Sequence, residues 1–96
     1  EQIASDILAS LGELEQKRVV IILSDIAVAH LRHGHTNEAC RIAKDGLAAL
    51  RESEFATWLP KFEEIAKAVT PWRKREPVRA FLEDFAVTKR QLSSAR

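Results

Sequence analysis

Residues 23–50, LSDIAVAHLRHGHTNEACRIAKDGLAAL, constrain this chain more than any other stretch. Apolar residues recur at intervals of three and four on both sides of Gly34, the spacing of one helix face rather than the alternation of a strand. A glycine between two such segments readily takes the left-handed backbone that ends a helix. The stretch therefore predicts two amphipathic helices joined by a tight turn, and such a pair buries its apolar faces best against further helices.

The flanks supply those helices. Ile3, Ile7, Leu8 and Leu11 share a stripe and predict a first helix over 2–11, closed by Gly12. The second is expected over 16–33. Its opening run, Val19 to Leu23, has no period and alone would suit a buried strand. The continuation through Ile26, Ala27, His30 and Leu31 at helical spacing, with no partner strand in the sequence, assigns it to a helix. An apolar run on all sides of a helix calls for neighbours on more than one face.

The third helix is expected over 37–51, capped by Thr36 or Asn37. Its stripe is Ala39, Ala43, Gly46, Leu47 and Leu50, small at one end. Glycine within a helix costs about 1 kcal/mol relative to alanine, and a tight helix crossing is the natural reason to keep Gly46. The fourth is expected over 58–69, with Thr57 as cap, Pro60 in the first turn and a stripe through Phe62, Ile65, Ala66 and Val69. After a loop over 71–76, Pro77 opens a fifth helix to about residue 91, with Val78, Phe81, Leu82 and Phe85 on one face. The expected architecture is one all-α domain over 1–96. Its five antiparallel helices form a right-handed stack, with the hairpin at 23–50 and capping helices within 57–92.

Ninety-six residues bury one modest core. The longest apolar run has five residues, far short of the ~20 that span a bilayer, so no membrane association is expected. The first residues lack the basic start and apolar block of a signal peptide. A chain that starts at Glu1 and contains no methionine is expected to be part of a longer protein. The single cysteine, Cys40, has no internal disulfide partner, which fits a reducing, cytoplasmic setting. Net charge is +1, divided as +4 over 71–96 and −3 over 1–70.

No catalytic constellation is legible, and no enzyme activity or cofactor is expected. His30, His33 and His35, with Glu38 and Cys40 nearby, miss the ligand spacing of four-coordinate zinc sites, so no metal is expected. Cys40 reads as a small buried hydrophobe rather than a nucleophile. Trp72, Arg73, Lys74 and Arg75 are the best candidates for an acidic-ligand contact, because basic residues beside an aromatic stack on bases and neutralise phosphates. Against this stands a plainer arrangement in which Trp72 covers the end of the core and the charges are solvated.

The central hairpin resembles a tetratricopeptide repeat through Leu23, Ile26 and Ala27 in one helix, Gly34 at the turn, and Ala39 and Ala43 in the next. It departs from that pattern at His30, Gly46 and Arg51, where the family usually has an aromatic, an alanine and a proline. No second copy recurs 34 residues on. The string AVAHLRHGHTNEACRIAKDGL, followed by Pro-Trp-Arg and a Pro-Val-Arg-x-Phe helix, resembles the C-terminal domain of actinobacterial helix-turn-helix regulators. That resemblance implies a non-catalytic regulatory domain that binds a peptide, a protein or a second copy of itself, with nucleic acid contacted only by the rest of the parent protein. The repeat resemblance places Ser24, Val28, Leu31 and Arg32 on a partner groove, with Leu31 alternatively in the core. The alternative is a small basic nucleic-acid-binding module acting through Arg73, Lys74, Arg75, Arg79, Lys89 and Arg90. Steep salt dependence of binding would distinguish it.

Overall fold

A computed structural model describes residues 13–53 and 55–94, and every regular element among them is helical. They are α1 (Glu13–Arg32), α2 (Thr36–Ser53), a 3-10 turn (Ala56–Trp58), α3 (Leu59–Val69), a second 3-10 turn (Thr70–Trp72) and α4 (Glu76–Ser94). The expected first helix over 2–11 and its Gly12 cap lie outside the described residues.

Gly34 joins α1 to α2 at φ = +80°. Its N–H donates to Leu31 O at 3.1 Å, and the His35 N–H reaches back to His30 O at 2.8 Å. This pair of bonds is the Schellman closure of a helix, and it satisfies two carbonyls left without partners at the end of α1. The start of α2 differs from expectation by one residue. His35 O accepts the first helical bond, from the Ala39 N–H at 2.9 Å. Thr36 is thus already inside the helix, and neither it nor Asn37 is the cap. Thr57 likewise does not cap α3. It lies in the preceding 3-10 turn, and Trp58 takes the cap position without a side-chain bond. Pro60 does fall in the first turn, where its missing N–H costs nothing.

The stripe on α2 sits where periodicity placed it. Ala39, Ala43, Gly46, Leu47 and Leu50 are buried, and so are Cys40 and Ala49. Their spread around the helix puts α2 at the centre: it packs most extensively on α1, next on α4, and also on α3. Small residues make this possible, because they let neighbouring helices approach closely. A methyl group on Gly46 would lie 2.9 Å from Phe62 Cε1 and Cζ of α3 and 3.5 Å from Leu23 Cβ of α1. Phe62, Ile65, Ala66 and Val69 complete the α3 face of the core, and Val78, Phe81 and Phe85 the α4 face.

The expectation that the apolar run on α1 packs on more than one face involves the helix over 2–11, which lies outside the described residues; among those described, α2 is the helix that packs most extensively. Val20, Ser24 and Ala27 of α1 are fully buried, whereas Ile22 and Ile26 are 55% and 40% exposed. Residues 20, 24 and 27 share one helix face and residues 22 and 26 lie on another. Only the first face meets a described helix.

Two polar contacts join distant parts of the chain. The Trp58 indole N–H donates to Ser24 Oγ at 2.9 Å, and that hydroxyl donates to Ile21 O at 2.8 Å. Arg51 Nη1 donates to Thr88 Oγ1 at 2.6 Å and to Asp84 Oδ1 at 3.2 Å, tying the end of α2 to α4.

Gly46→Ala gains helix propensity of about 1 kcal/mol but drives a methyl into the ring of Phe62, and overpacking of a filled core costs about 1–3 kcal/mol. Chemical denaturation of the variant is expected to show a net loss of stability. A gain would mean that Phe62 moves aside freely.

Candidate functional site

The four side chains expected to line a partner groove do not share one environment. Ser24 is fully buried and committed to Trp58. Val28 and Leu31 are partly buried against the core, and Arg32 is exposed. Ser24, Val28 and Leu31 follow one another at intervals of four and three, so they share the face that α1 turns toward the protein. Of the four, Arg32 alone stands in solvent.

The open surface of α1 lies elsewhere. Ile22, Ile26 and Ala29 recur at intervals of four and three and are exposed, while Val19 at the edge of this stripe is half-buried against the core. Residue types alone could not reveal this stripe, because the run from Val19 to Leu23 is equally apolar on every side. Fixing the rotation of α1 requires knowing which residues meet α2.

Trp72, Arg73, Lys74 and Arg75 are brought together by a tight connection. The Arg73 N–H donates to Thr70 O and the Arg75 N–H to Trp72 O, each at 3.0 Å, and the Arg79 N–H donates to Arg75 O at 2.9 Å as α4 begins. The expected loop is thus mostly turn and 3-10 helix. Trp72 remains 41% exposed, so it is only in part a lid on the core. The Arg75 guanidinium carbon lies 5.9 Å from the centroid of the Trp72 ring, within range of a cation–π contact. Arg73, Lys74 and Arg75 are all exposed. The more distal cations do not join them. Lys89 pairs with Glu63 at 3.3 Å, and thirteen residues of helix set it about 20 Å from the start of α4.

The three histidines gather at the α1–α2 turn. The ring centroid of His35 lies 5.7 Å from that of His30 and 6.3 Å from that of His33. Among the described residues, no group of three or more His, Cys, Asp or Glu side chains is arranged to hold a metal ion. No helix is long and apolar enough to cross a membrane, again among the described residues. Cys40 is fully buried in the α2 core, and burial pushes its thiol up to about 11. Such a thiol stays protonated and shielded, the opposite of an activated nucleophile.

No protein family, curated protein or solved structure matches the chain.

The state of Cys40 has a measurable consequence. Its folded value, about 11, exceeds the ordinary 9.0, so between these limits the unfolded chain loses a proton that the native chain keeps. Stability attributable to this thiol is therefore complete below pH 9 and falls as pH rises, by roughly 1 kcal/mol per pH unit. Denaturation curves at pH 8 and 10 are expected to show an additional loss in the wild type relative to Cys40→Ala. Identical pH dependence in both proteins would contradict the burial of the thiol.

Proposed function

We propose that the chain is a non-catalytic interaction domain that pairs with a second copy of itself through the solvent face of α1. The observation that carries this reading is the exposed stripe of Ile22 and Ile26, flanked by Val19 and Ala29. Apolar side chains aligned along one helix at this spacing form the seam by which helices recognise one another. A symmetric pair would bury the stripe on both copies at once. Four half-exposed isoleucines contribute on the order of 5 kcal/mol. Once the cost of joining two bodies is subtracted, this yields only weak association. That strength suits a module that assists the pairing of a larger protein.

The resemblance to the C-terminal domain of actinobacterial helix-turn-helix regulators supplies the setting: a cytoplasmic regulator whose copies this domain brings together. A tetratricopeptide-like, right-handed five-helix stack is part of the same proposal, in which a helix over 2–11 ahead of α1 would leave Ile22 and Ile26 open. The antiparallel hairpin closed at Gly34 and the small residues Ala27, Ala39 and Ala43 buried within it support that architecture.

Sedimentation velocity from micromolar to millimolar concentration is expected to show mass rising toward a dimer. The double variant Ile22→Lys, Ile26→Lys is expected to remain monomeric with an unchanged melting temperature. A wild type that is monomeric throughout would overturn the proposal. So would a double variant whose melting temperature falls while its mass is unaffected, since that result would assign the stripe to a contact within the chain.

A further inference from the structure

Two connections meet at one end of the helix bundle: the α1–α2 turn at Gly34 and the α3–α4 connection at Trp72. Between them lies a cleft of about 270 Å³, lined by Leu31, Gly34, Thr36, Ala68, Trp72 and Arg75. A second depression of about 380 Å³ is formed by Pro71 to Arg75. Trp72 and Arg75 line both, the first together with Leu31 and Ala68 and the second together with Arg73 and Lys74.

The charge at this end comes from side chains. Helices α1 and α3 finish here while α2 and α4 begin, so their dipoles largely offset one another. Among the described residues, Arg32, Arg73, Lys74 and Arg75 have no carboxylate partner. The two acidic residues of the adjoining first helical turns are already paired, Glu76 with Arg79 at 3.8 Å and Glu38 with Arg41 at 3.2 Å. Arg73 donates to the Thr70 carbonyl, which holds its side chain near the turn without neutralising it.

From this arrangement we infer that the Trp72–Arg75 end binds single-stranded nucleic acid, with a base stacked at Trp72 and backbone phosphates neutralised by Arg73, Lys74 and Arg75. Each component matches one part of a nucleotide. An exposed indole offers a flat face to any base. Arginine forks and a lysine ammonium suit phosphate oxygens. A nucleotide carries a flat ring and a phosphate in every residue, which matches an exposed indole set directly beside Arg73, Lys74 and Arg75. Recognition of this kind is tolerant of sequence and short in footprint. It is independent of the α1 stripe, so failure of either proposal leaves the other standing.

The test is fluorescence anisotropy of the full chain with a fluorescein-labelled eight-residue thymidine oligonucleotide. Three phosphate contacts on a single strand give a log–log salt slope of about −2. Binding is therefore expected to weaken by roughly sixteenfold between 50 and 200 mM salt. Trp72→Ala is expected to weaken binding by about 5- to 150-fold, since stacking contributes about 1–3 kcal/mol per base. Trp72→Phe, which keeps an aromatic face, is expected to stay within a few-fold of wild type. The double variant Arg73→Glu, Lys74→Glu is expected to abolish binding, while Lys61→Glu on the first turn of α3, at the opposite end, is expected to leave it unchanged. All variants carry exposed or partly exposed substitutions, and circular dichroism verifies that each remains folded. Absence of binding at 50 mM salt would overturn the inference. Equal loss in Lys61→Glu, or capture by a polyglutamate peptide or phosphatidylserine vesicles but not by the oligonucleotide, would do the same.

Discussion

The close approach of α3 to α2 at Gly46 is the contact on which the remaining packing depends. With no Cβ at that position, the ring of Phe62 sits against the backbone of α2, and Leu23 of α1 comes near the same point from another side. Three helices therefore meet at one residue. The same economy runs along α2: Ala39, Cys40, Ala43 and Ala49 are small and fully buried, and they leave room for neighbours around most of the helix. Each larger core residue then fills the space between two helices rather than holding them apart. Close packing of this kind tolerates little change in volume.

Apolar contacts of this sort do not by themselves select one helix register. Two polar ties between distant segments supply that selection. Ser24 and Thr88 occupy core positions and are fully buried, and each hydroxyl is satisfied from a distant helix or turn. Each hydroxyl also donates to a carbonyl of its own helix, Ser24 to Ile21 O and Thr88 to Asp84 O, so the distant partner contributes about 1 kcal/mol. The Arg51–Asp84 pair is partly exposed and contributes little as a charge pair. Its greater value lies in directing the guanidinium onto Thr88 and so fixing how α4 lies along α2.

How much of this was legible in the sequence varied with how one-sided each helix is. The faces of α2, α3 and α4 could be read directly, because apolar residues such as Leu47 and Leu50, Phe62 and Val69, and Val78 and Phe85 alternate with charged ones. The reason to keep Gly46 could be read as well, though its partner Phe62 could not. On α1 the apolar run erased the distinction between faces, so the sequence could not single out Val20, Ser24 and Ala27 as the buried ones. Ser24 and Thr88 look like surface residues by type. Their burial depends on partners 34 and 37 positions away, and no local pattern encodes such partners. At the basic end, the sequence singled out Trp72 to Arg75 but gave no sign that the Gly34 turn forms the opposite wall of a cleft.

The two surfaces proposed for function follow from this arrangement. A central α2 leaves one side of α1 without a described neighbour. The up-and-down course of the helices collects the Gly34 turn and the Trp72 connection at one end. Both depend on α2 being the element about which the others pack, and native-state amide hydrogen exchange tests that directly. Amides of residues 43–50 are expected to exchange slowest, opening only with global unfolding. If the slowest amides lay in α1 or α4 while those of α2 exchanged through local opening, α2 would not be the organising helix, and the basis for both surfaces would fall with it.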